Sequence, residues 1–102
     1  MKFNLSFLDR ITIRKLLPKE GNYITNKIVR DLTNELEFTA EEISACNIRM
    51  KDGLILWDIE RDKDVEVNEV VEHLIKNKLK ELNSSNKLPI EYNLLFEKFK
   101  LN

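Results

Sequence analysis

Glycine and proline are scarce in this sequence, with two of each in 102 residues, and there is one cysteine and one histidine. Two glycines exclude a glycine-rich phosphate loop. A lone cysteine excludes an internal disulfide and a cysteine metal cluster, and it fits a reducing, cytoplasmic setting. The apolar runs are too short for a membrane span, so we expect no membrane partner. What remains is an ordinary globular composition, which predicts a single domain over residues 1–102.

Charge is balanced over the whole chain, at −1, but it is distributed unevenly. Residues 36–72 carry four Lys/Arg and eleven Asp/Glu, whereas the segments on both sides are net basic. Domains that bind nucleic acid usually carry a clear basic excess or patch. The overall balance therefore disfavours a nucleic-acid partner.

The strongest local signal is Asp52-Gly53, which lies between two short apolar runs. Asp-Gly is typical of a two-residue type I′ turn, because that turn needs positive φ at both central positions. The turn pairs Met50 with Ile55 and gives the hairpin 48–58 one wholly apolar face. Since an isolated hairpin is marginal in water, we expect this face to pack against helices.

Apolar residues at helical spacing predict four or five helices elsewhere in the chain. Their expected ranges are 7–17, 23–37, 40–46, 69–82 and 90–100. Ser6 with Asp9, and Thr39 with Glu42, have the spacing of capping boxes at two of the helix starts. The first helix is expected to bury Leu8, Ile11 and Leu16.

These elements predict an α+β fold, with four or five helices packed on a small two- or three-stranded antiparallel sheet centred on the 48–58 hairpin. Residues 65–67 alternate between apolar and polar, and they are the candidate third strand. The expected core combines the apolar positions of the hairpin with those of two helices. Its members are Ile24, Ile28, Leu32, Leu36, Ile48, Met50, Ile55, Trp57, Val71, Leu74, Ile75 and Leu79.

Five stretches spread over nearly the whole chain form a further pattern. They are LLPKEG at 16–21, KIVRDL at 27–32, FTAEEI at 38–43, the hairpin ending in Trp57, and LFEKF at 95–99. In their order and spacing they resemble a group of small, uncharacterised bacteriophage and prophage proteins. Pro89 departs from that group, in which a Ser/Thr cap is expected before the last helix. The resemblance implies a small cytoplasmic protein of a mobile element, and it brings no established activity.

The single histidine and the single cysteine do not indicate a catalytic site. His73 falls on the polar side of the helix at 69–82, and Cys46 at the end of a short helix is typical of a buried apolar residue. Nothing in the sequence places the two together as an activated pair. Because a nucleophile and a phosphate loop are also lacking, we expect no enzyme, no catalytic residue and no cofactor.

Acids recur at every second position from Asp58 to Glu66, and Glu69 follows three residues later. This is the ligand spacing of an EF-hand calcium loop, but Lys63 stands where the sharp turn of that loop needs glycine. We therefore expect no metal site. A solvated acidic edge that prevents edge-to-edge strand pairing is the preferred explanation.

Protein–protein interaction is the remaining hypothesis, because the outer half of the hairpin and the last helix carry surplus apolar residues. The expected surface comprises Arg49, Leu54, Leu56, Tyr92, Leu95, Phe96 and Phe99. The partner would be a host or phage protein, or a second copy in a homodimer. A host-factor or host-defence modulator and an assembly or replication accessory both fit. The same residues of the last helix would equally suit ordinary core.

The alternative function is a DNA-binding transcription regulator of the winged-helix kind, because three helices followed by a hairpin have the right order. However, the third helix opens with Glu41-Glu42. A helix that enters the major groove normally brings Lys or Arg to the phosphates. The alternative therefore ranks second.

Overall fold

The computed structural model describes residues 1–101, and within them it has five α-helices and two antiparallel sheets of two strands each. The strands are β1 (Lys2–Leu5), β2 (Arg49–Lys51), β3 (Leu54–Leu56) and β4 (Lys63–Glu66). The helices are α1 (Phe7–Leu16), α2 (Tyr23–Leu36), α3 (Ala40–Cys46), α4 (Glu69–Ser84) and α5 (Asn93–Lys98), with a 3₁₀ turn at Ile90–Tyr92 before α5. The expected α+β fold is confirmed.

Local signals in the sequence set where α1 and α3 begin. The Ser6 hydroxyl accepts a hydrogen bond from the Asp9 amide, and the Asp9 carboxylate accepts one from the Ser6 amide. Thr39 and Glu42 make the same reciprocal pair before α3. Each box satisfies two backbone N–H groups that have no partner within the helix. Both predicted capping boxes are confirmed.

The sheet of β1 and β4 lies at the centre of the molecule. Phe3 pairs with Val65 across it, although 61 residues separate the two in sequence. Alternation along β1 turns Phe3 and Leu5 inward, and both are buried together with Val65. Phe3 also stacks on Phe99 after α5, with 4.4 Å between the ring centroids. A strand near residue 65 is thus present, but it pairs with the N-terminal strand in a separate sheet, so the expectation that it would be a third strand beside the hairpin was wrong.

The core differs from the expected one mainly at the hairpin. Leu32, Leu36, Val71, Ile75 and Leu79 are buried as expected, whereas Ile28, Ile48, Ile55, Trp57 and Leu74 are only half-buried. Two expectations were wrong, because Ile24 is 68% exposed and Met50 is 73% exposed. The β1–β4 sheet supplies the centre of the core in place of the hairpin. The strands of the hairpin have three residues each, and its apolar face is only partly covered, with Met50 exposed and the other three members half-buried.

Helix α1 presents a different face to the core from the one expected. Leu16 is buried as expected, but Ile11 is half-buried and Leu8 is exposed. Phe7, Ile13 and the charged residue Arg10 are fully buried instead. An apolar pattern alone does not predict a buried arginine, because burying a charge is costly unless the charge is paired and hydrogen-bonded. The partners of Arg10 therefore decide how α1 is oriented.

Candidate interaction surface

Strands β2 and β3 form the predicted hairpin. The register pairs Arg49 with Leu56, and Met50 with Ile55. At the turn, φ is 52° at Asp52 and 78° at Gly53, as a type I′ turn requires. Asp tolerates the left-handed region better than most residues, and glycine enters it without strain. The hairpin and its register are confirmed.

The base of the hairpin is fixed to α3 by Asp58. The Asp58 amide donates to the Cys46 carbonyl at 3.0 Å. The Asp58 carboxylate accepts hydrogen bonds from the side chains of Asn47, at 2.6 Å, and Arg49, at 3.0 Å. The Asn47 amide, followed by the Arg49 guanidinium, holds the pKa of Asp58 below its usual value. This acid of the alternating series therefore stabilises the ends of the hairpin.

Trp57 connects the hairpin to α1. Its ring meets the buried Phe7 ring edge to face, with 5.5 Å between the centroids. Its indole N–H donates to the Glu60 carboxylate at 2.6 Å, and the other oxygen of that carboxylate accepts from the Phe7 amide at 3.1 Å. Glu60 thus satisfies two donors at once. Through Trp57 and Glu60 the hairpin has a fixed position beside α1.

Between the hairpin, α1 and α3 lie three open hollows, and Ile55 lines all of them. Their volumes are about 340, 260 and 170 Å³. Ile11 is shared by the first two, and Met50 by the last two, so the three hollows adjoin one another. We call this continuous surface the hairpin face. Its apolar members are Leu8, Ile11, Phe38, Ile43, Ile48, Met50, Leu54, Ile55 and Trp57.

Large apolar side chains remain exposed on the hairpin face. Met50 and Leu54 are 73% and 63% exposed, and Leu8 and Ile43 are also exposed. Exposed apolar side chains gathered at one concave place are typical of interaction sites, whereas scattered ones are normal on any surface. The hairpin face is therefore the candidate functional site.

A buried ion pair beneath this face fixes α1 against α3. The Arg10 guanidinium binds both oxygens of the Glu42 carboxylate, at 2.7 and 3.1 Å. It also donates to the carbonyls of Leu36, at 3.2 Å, and Glu37, at 2.6 Å, at the end of α2. The hydrogen bond from Arg10 is the largest cause that lowers the pKa of Glu42 from 4.5 to about 2. Three helices that surround the hairpin face are joined by this one side chain.

The residues predicted for the interaction surface divide into two groups. Arg49 and Leu54 are exposed on the hairpin, with Leu56 half-buried beside them. In the last helix region, Leu95 and Phe99 are each 1% exposed, and Tyr92 and Phe96 are half-buried against the core. The structure therefore brings Arg49 and Leu54 to the candidate site, while Leu95 and Phe99 act as core residues.

Sequence reasoning missed the part of the site that α1 contributes. Leu8, Ile11 and Lys15 line the hollows from α1. Their spacing of three and four residues puts them on one stripe of the helix, and its two apolar members, Leu8 and Ile11, were expected to be buried. Arg10, Arg14 and Lys15 lie around that stripe, but the sequence does not show which of these basic residues is buried. It therefore gave no signal for the orientation of α1.

The other candidates from the sequence take part in no common site. Cys46 is buried, and His73 is exposed on α4. Asp64 and Glu66, from the alternating acids, bind the Asn4 amide and the N-terminal amine respectively. Within residues 1–101, no cluster of His, Cys, Asp and Glu side chains is arranged to hold a metal ion.

Comparisons with known proteins return nothing: no known protein family, curated protein or solved structure matches this chain. Among the helices of residues 1–101, none combines the length and the apolar character needed to cross a membrane.

Proposed function

We propose that this chain is a small non-enzymatic binding protein, and that it contacts a partner protein through the hairpin face. One observation carries the proposal: Ile55 lies at the meeting point of three adjoining hollows whose rims expose Met50, Leu54 and Leu8. The two carboxyls with lowered pKa, Glu42 and Asp58, are both held in structural ion pairs. Binding therefore accounts for the visible features of this surface better than catalysis does.

The biological setting of the proposal comes from the resemblance to phage and prophage proteins. It makes the partner a host or phage protein in the cytoplasm, and the effect modulation of a host factor or assistance in assembly or replication. None of the comparisons supports this origin. Identifying the partner protein is therefore the test of the proposed phage or prophage origin.

The winged-helix alternative retains the order of three helices and a hairpin, but its recognition helix has the wrong charge. Helix α3 contains no Lys or Arg. Glu41 binds Arg61, and Glu42 binds the buried Arg10. An electrophoretic shift assay with duplex DNA at low salt separates the two functions, since tight and salt-dependent binding would favour the alternative.

The homodimer expected through residues 90–101 and the outer hairpin stays a prediction. Two of the residues on which it was based, Leu95 and Phe99, pack inside their own chain. Sedimentation velocity from 1 to about 100 μM reports self-association directly, because a specific interface gives a concentration-dependent increase in mass. A partner of a different sequence is the form of the proposal that we prefer.

Paired substitutions test the proposed surface. Met50→Asp/Leu54→Asp places two charges on the hairpin face, and Ile24→Asp/Leu94→Asp places two charges at sites outside it that are 68% and 66% exposed. All four side chains are exposed, so we expect both double variants to fold. Each tagged protein is used to capture partners from the cell in which the chain occurs, followed by quantitative mass spectrometry.

We expect at least one protein to be captured by the parent and by Ile24→Asp/Leu94→Asp, and to be lost with Met50→Asp/Leu54→Asp. Circular dichroism of both double variants confirms that folding is unchanged. The proposal is wrong if every captured protein is retained equally by the two variants, because the hairpin face would then contribute nothing to binding.

A further inference from the structure

All the charged side chains that line the hairpin face are basic. They are Arg14, Lys15, Lys19 and Arg49. No acid lines any of the three hollows, although the chain has a net charge of −1 and the hairpin lies in its most acidic segment. Three of these basic residues, Arg14, Lys15 and Lys19, come from the net-basic segment before residue 36, and the fold brings them beside the hairpin of the acidic segment.

Two other hollows differ from this face because acids line them. The hollow between α2 and β4 is lined by Asp31, Glu35 and Glu66, with no basic residue. The hollow between the end of α1 and α4 contains Lys78 and the acid Glu81, and it shares Lys15 with the hairpin face. The hairpin face thus combines exposed apolar side chains with a lining in which every charged residue is basic.

Most of this positive charge is not paired with an acid of residues 1–101. Arg49 pairs with Asp58, whereas Arg14, Lys15 and Lys19 make no ion pair within residues 1–101. The helix dipole accounts for basic residues in the last turn of α1, which contains Arg14 and Lys15. It does not account for Lys19, which lies beyond the end of the helix.

We propose that the hairpin face binds an acidic amphipathic helix of a partner protein. Its apolar side chains would pack on Ile11, Ile55 and Met50, and its carboxylates would approach Arg14, Lys15 and Lys19. A surface of adjoining apolar hollows beside a helix and a hairpin suits a docked amphipathic helix, with anchors at spacing three and four. The basic residues at the rim favour a partner of negative charge, and such complementary charge raises the association rate. This inference rests on the proposed function, because it names the chemistry of the partner at the same surface.

A designed peptide library tests the sign of the charge on the partner helix. Each member is a 16-residue helix with leucines at spacing three and four, and all the remaining positions carry Glu, Lys or Gln in equal proportion. The library contains no tryptophan. Members that bind the full-length protein are selected and sequenced, and the affinity of the selected helices is measured by the emission of Trp57, the only tryptophan in the chain.

Charge-reversal variants identify the responsible residues. Arg14→Glu/Lys15→Glu/Lys19→Glu changes the three unpaired groups at the hairpin face. The matched control, Lys27→Glu/Lys80→Glu/Lys87→Glu, produces the same change in net charge at three exposed lysines that line none of the hollows. Both variants are compared with the parent at low and high salt.

We expect the selected helices to be rich in Glu and poor in Lys. Their Kd should rise roughly tenfold or more in the α1 triple variant, change about threefold or less in the control, and rise with salt. Selected helices that are basic or uncharged would overturn this inference. If such helices still lose binding in Met50→Asp/Leu54→Asp, the proposed surface survives and only the sign of the partner is wrong. Two results would contradict both this inference and the binding of any helix at the hairpin face. One is that no helix is selected, and the other is that selected helices bind that double variant as well as the parent.

Discussion

Arg10 and Glu42 form a bidentate ion pair in which the arginine is completely buried. The same guanidinium satisfies two backbone carbonyls at the end of α2 and lies over the Phe38 ring, 4.9 Å from its centroid. Glu42 is also the acid of the capping box that starts α3. One side chain therefore holds α1, the end of α2 and α3 together, and these elements form the walls of the hairpin face.

Replacing Arg10 should be strongly destabilising. Arg10→Met removes four hydrogen bonds and leaves the buried Glu42 carboxylate without its cation, so we expect a loss of about 3–5 kcal/mol in the free energy of unfolding. The control is Arg61→Met, which breaks an exposed ion pair with Glu41 and should cost less than about 1 kcal/mol. Urea unfolding measures both. Equal losses in the two variants would contradict the role given to Arg10.

The Glu42 pair should make stability depend on pH in the acidic range. The pKa of Glu42 is lowered from 4.5 to about 2 on folding, so its contribution is complete above about pH 5 and is lost as the pH falls through 4.5 towards 2. The advantage of the parent over Glu42→Gln should therefore shrink by roughly 2–3 kcal/mol between pH 5.5 and pH 2. Asp58→Asn should give a smaller change, because that carboxyl is exposed to solvent. Parallel stability curves for the parent and Glu42→Gln would contradict this prediction.

Trp57 should contribute less to stability than a core aromatic residue. It is half-buried, and it keeps one edge contact with Phe7 and one hydrogen bond to Glu60. We expect Trp57→Ala to cost about 2 kcal/mol, below the 3–5 kcal/mol of a fully buried aromatic residue. Phe7→Ala, at a fully buried site, supplies that reference value in the same chain. Chemical denaturation with equal losses in both variants would place Trp57 in the core.

Two neighbouring leucines of α5 should differ sharply. Leu95 is 1% exposed and Leu94 is 66% exposed. Leu95→Ala should cost about 2–5 kcal/mol because it leaves a cavity, and Leu94→Ala should change stability by less than about 0.5 kcal/mol. Thermal and urea unfolding of the two variants test this. Similar small effects would mean that α5 does not pack on the core.

The features that sequence reasoning predicted correctly are those with local causes. Asp52-Gly53 specifies a turn, and the turn alone then sets the pairing of Met50 with Ile55. The capping boxes need only a Ser or Thr followed three residues later by an acid. Such signals extend over a few residues and do not depend on the rest of the fold.

The features that it missed depend on contacts between distant segments. Phe3 and Val65 both lie in alternating stretches, but nothing in either stretch identifies the other as its partner. The burial of Arg10 likewise requires Glu42 and two carbonyls from another helix. Because these contacts form the core, the hairpin lies at the surface of the molecule. The candidate site therefore includes α1 residues that were expected in the core.

Site-specific photo-crosslinking in the cell in which the chain occurs tests the central claim most directly. A photoreactive phenylalanine analogue is placed at position 54, on the hairpin face, or at position 94, which is similarly exposed but lies outside it. We predict a covalent adduct with a second protein from position 54 and none from position 94. Adducts from position 94 alone, or equal adducts from both positions, would contradict the assignment of the hairpin face as the binding surface.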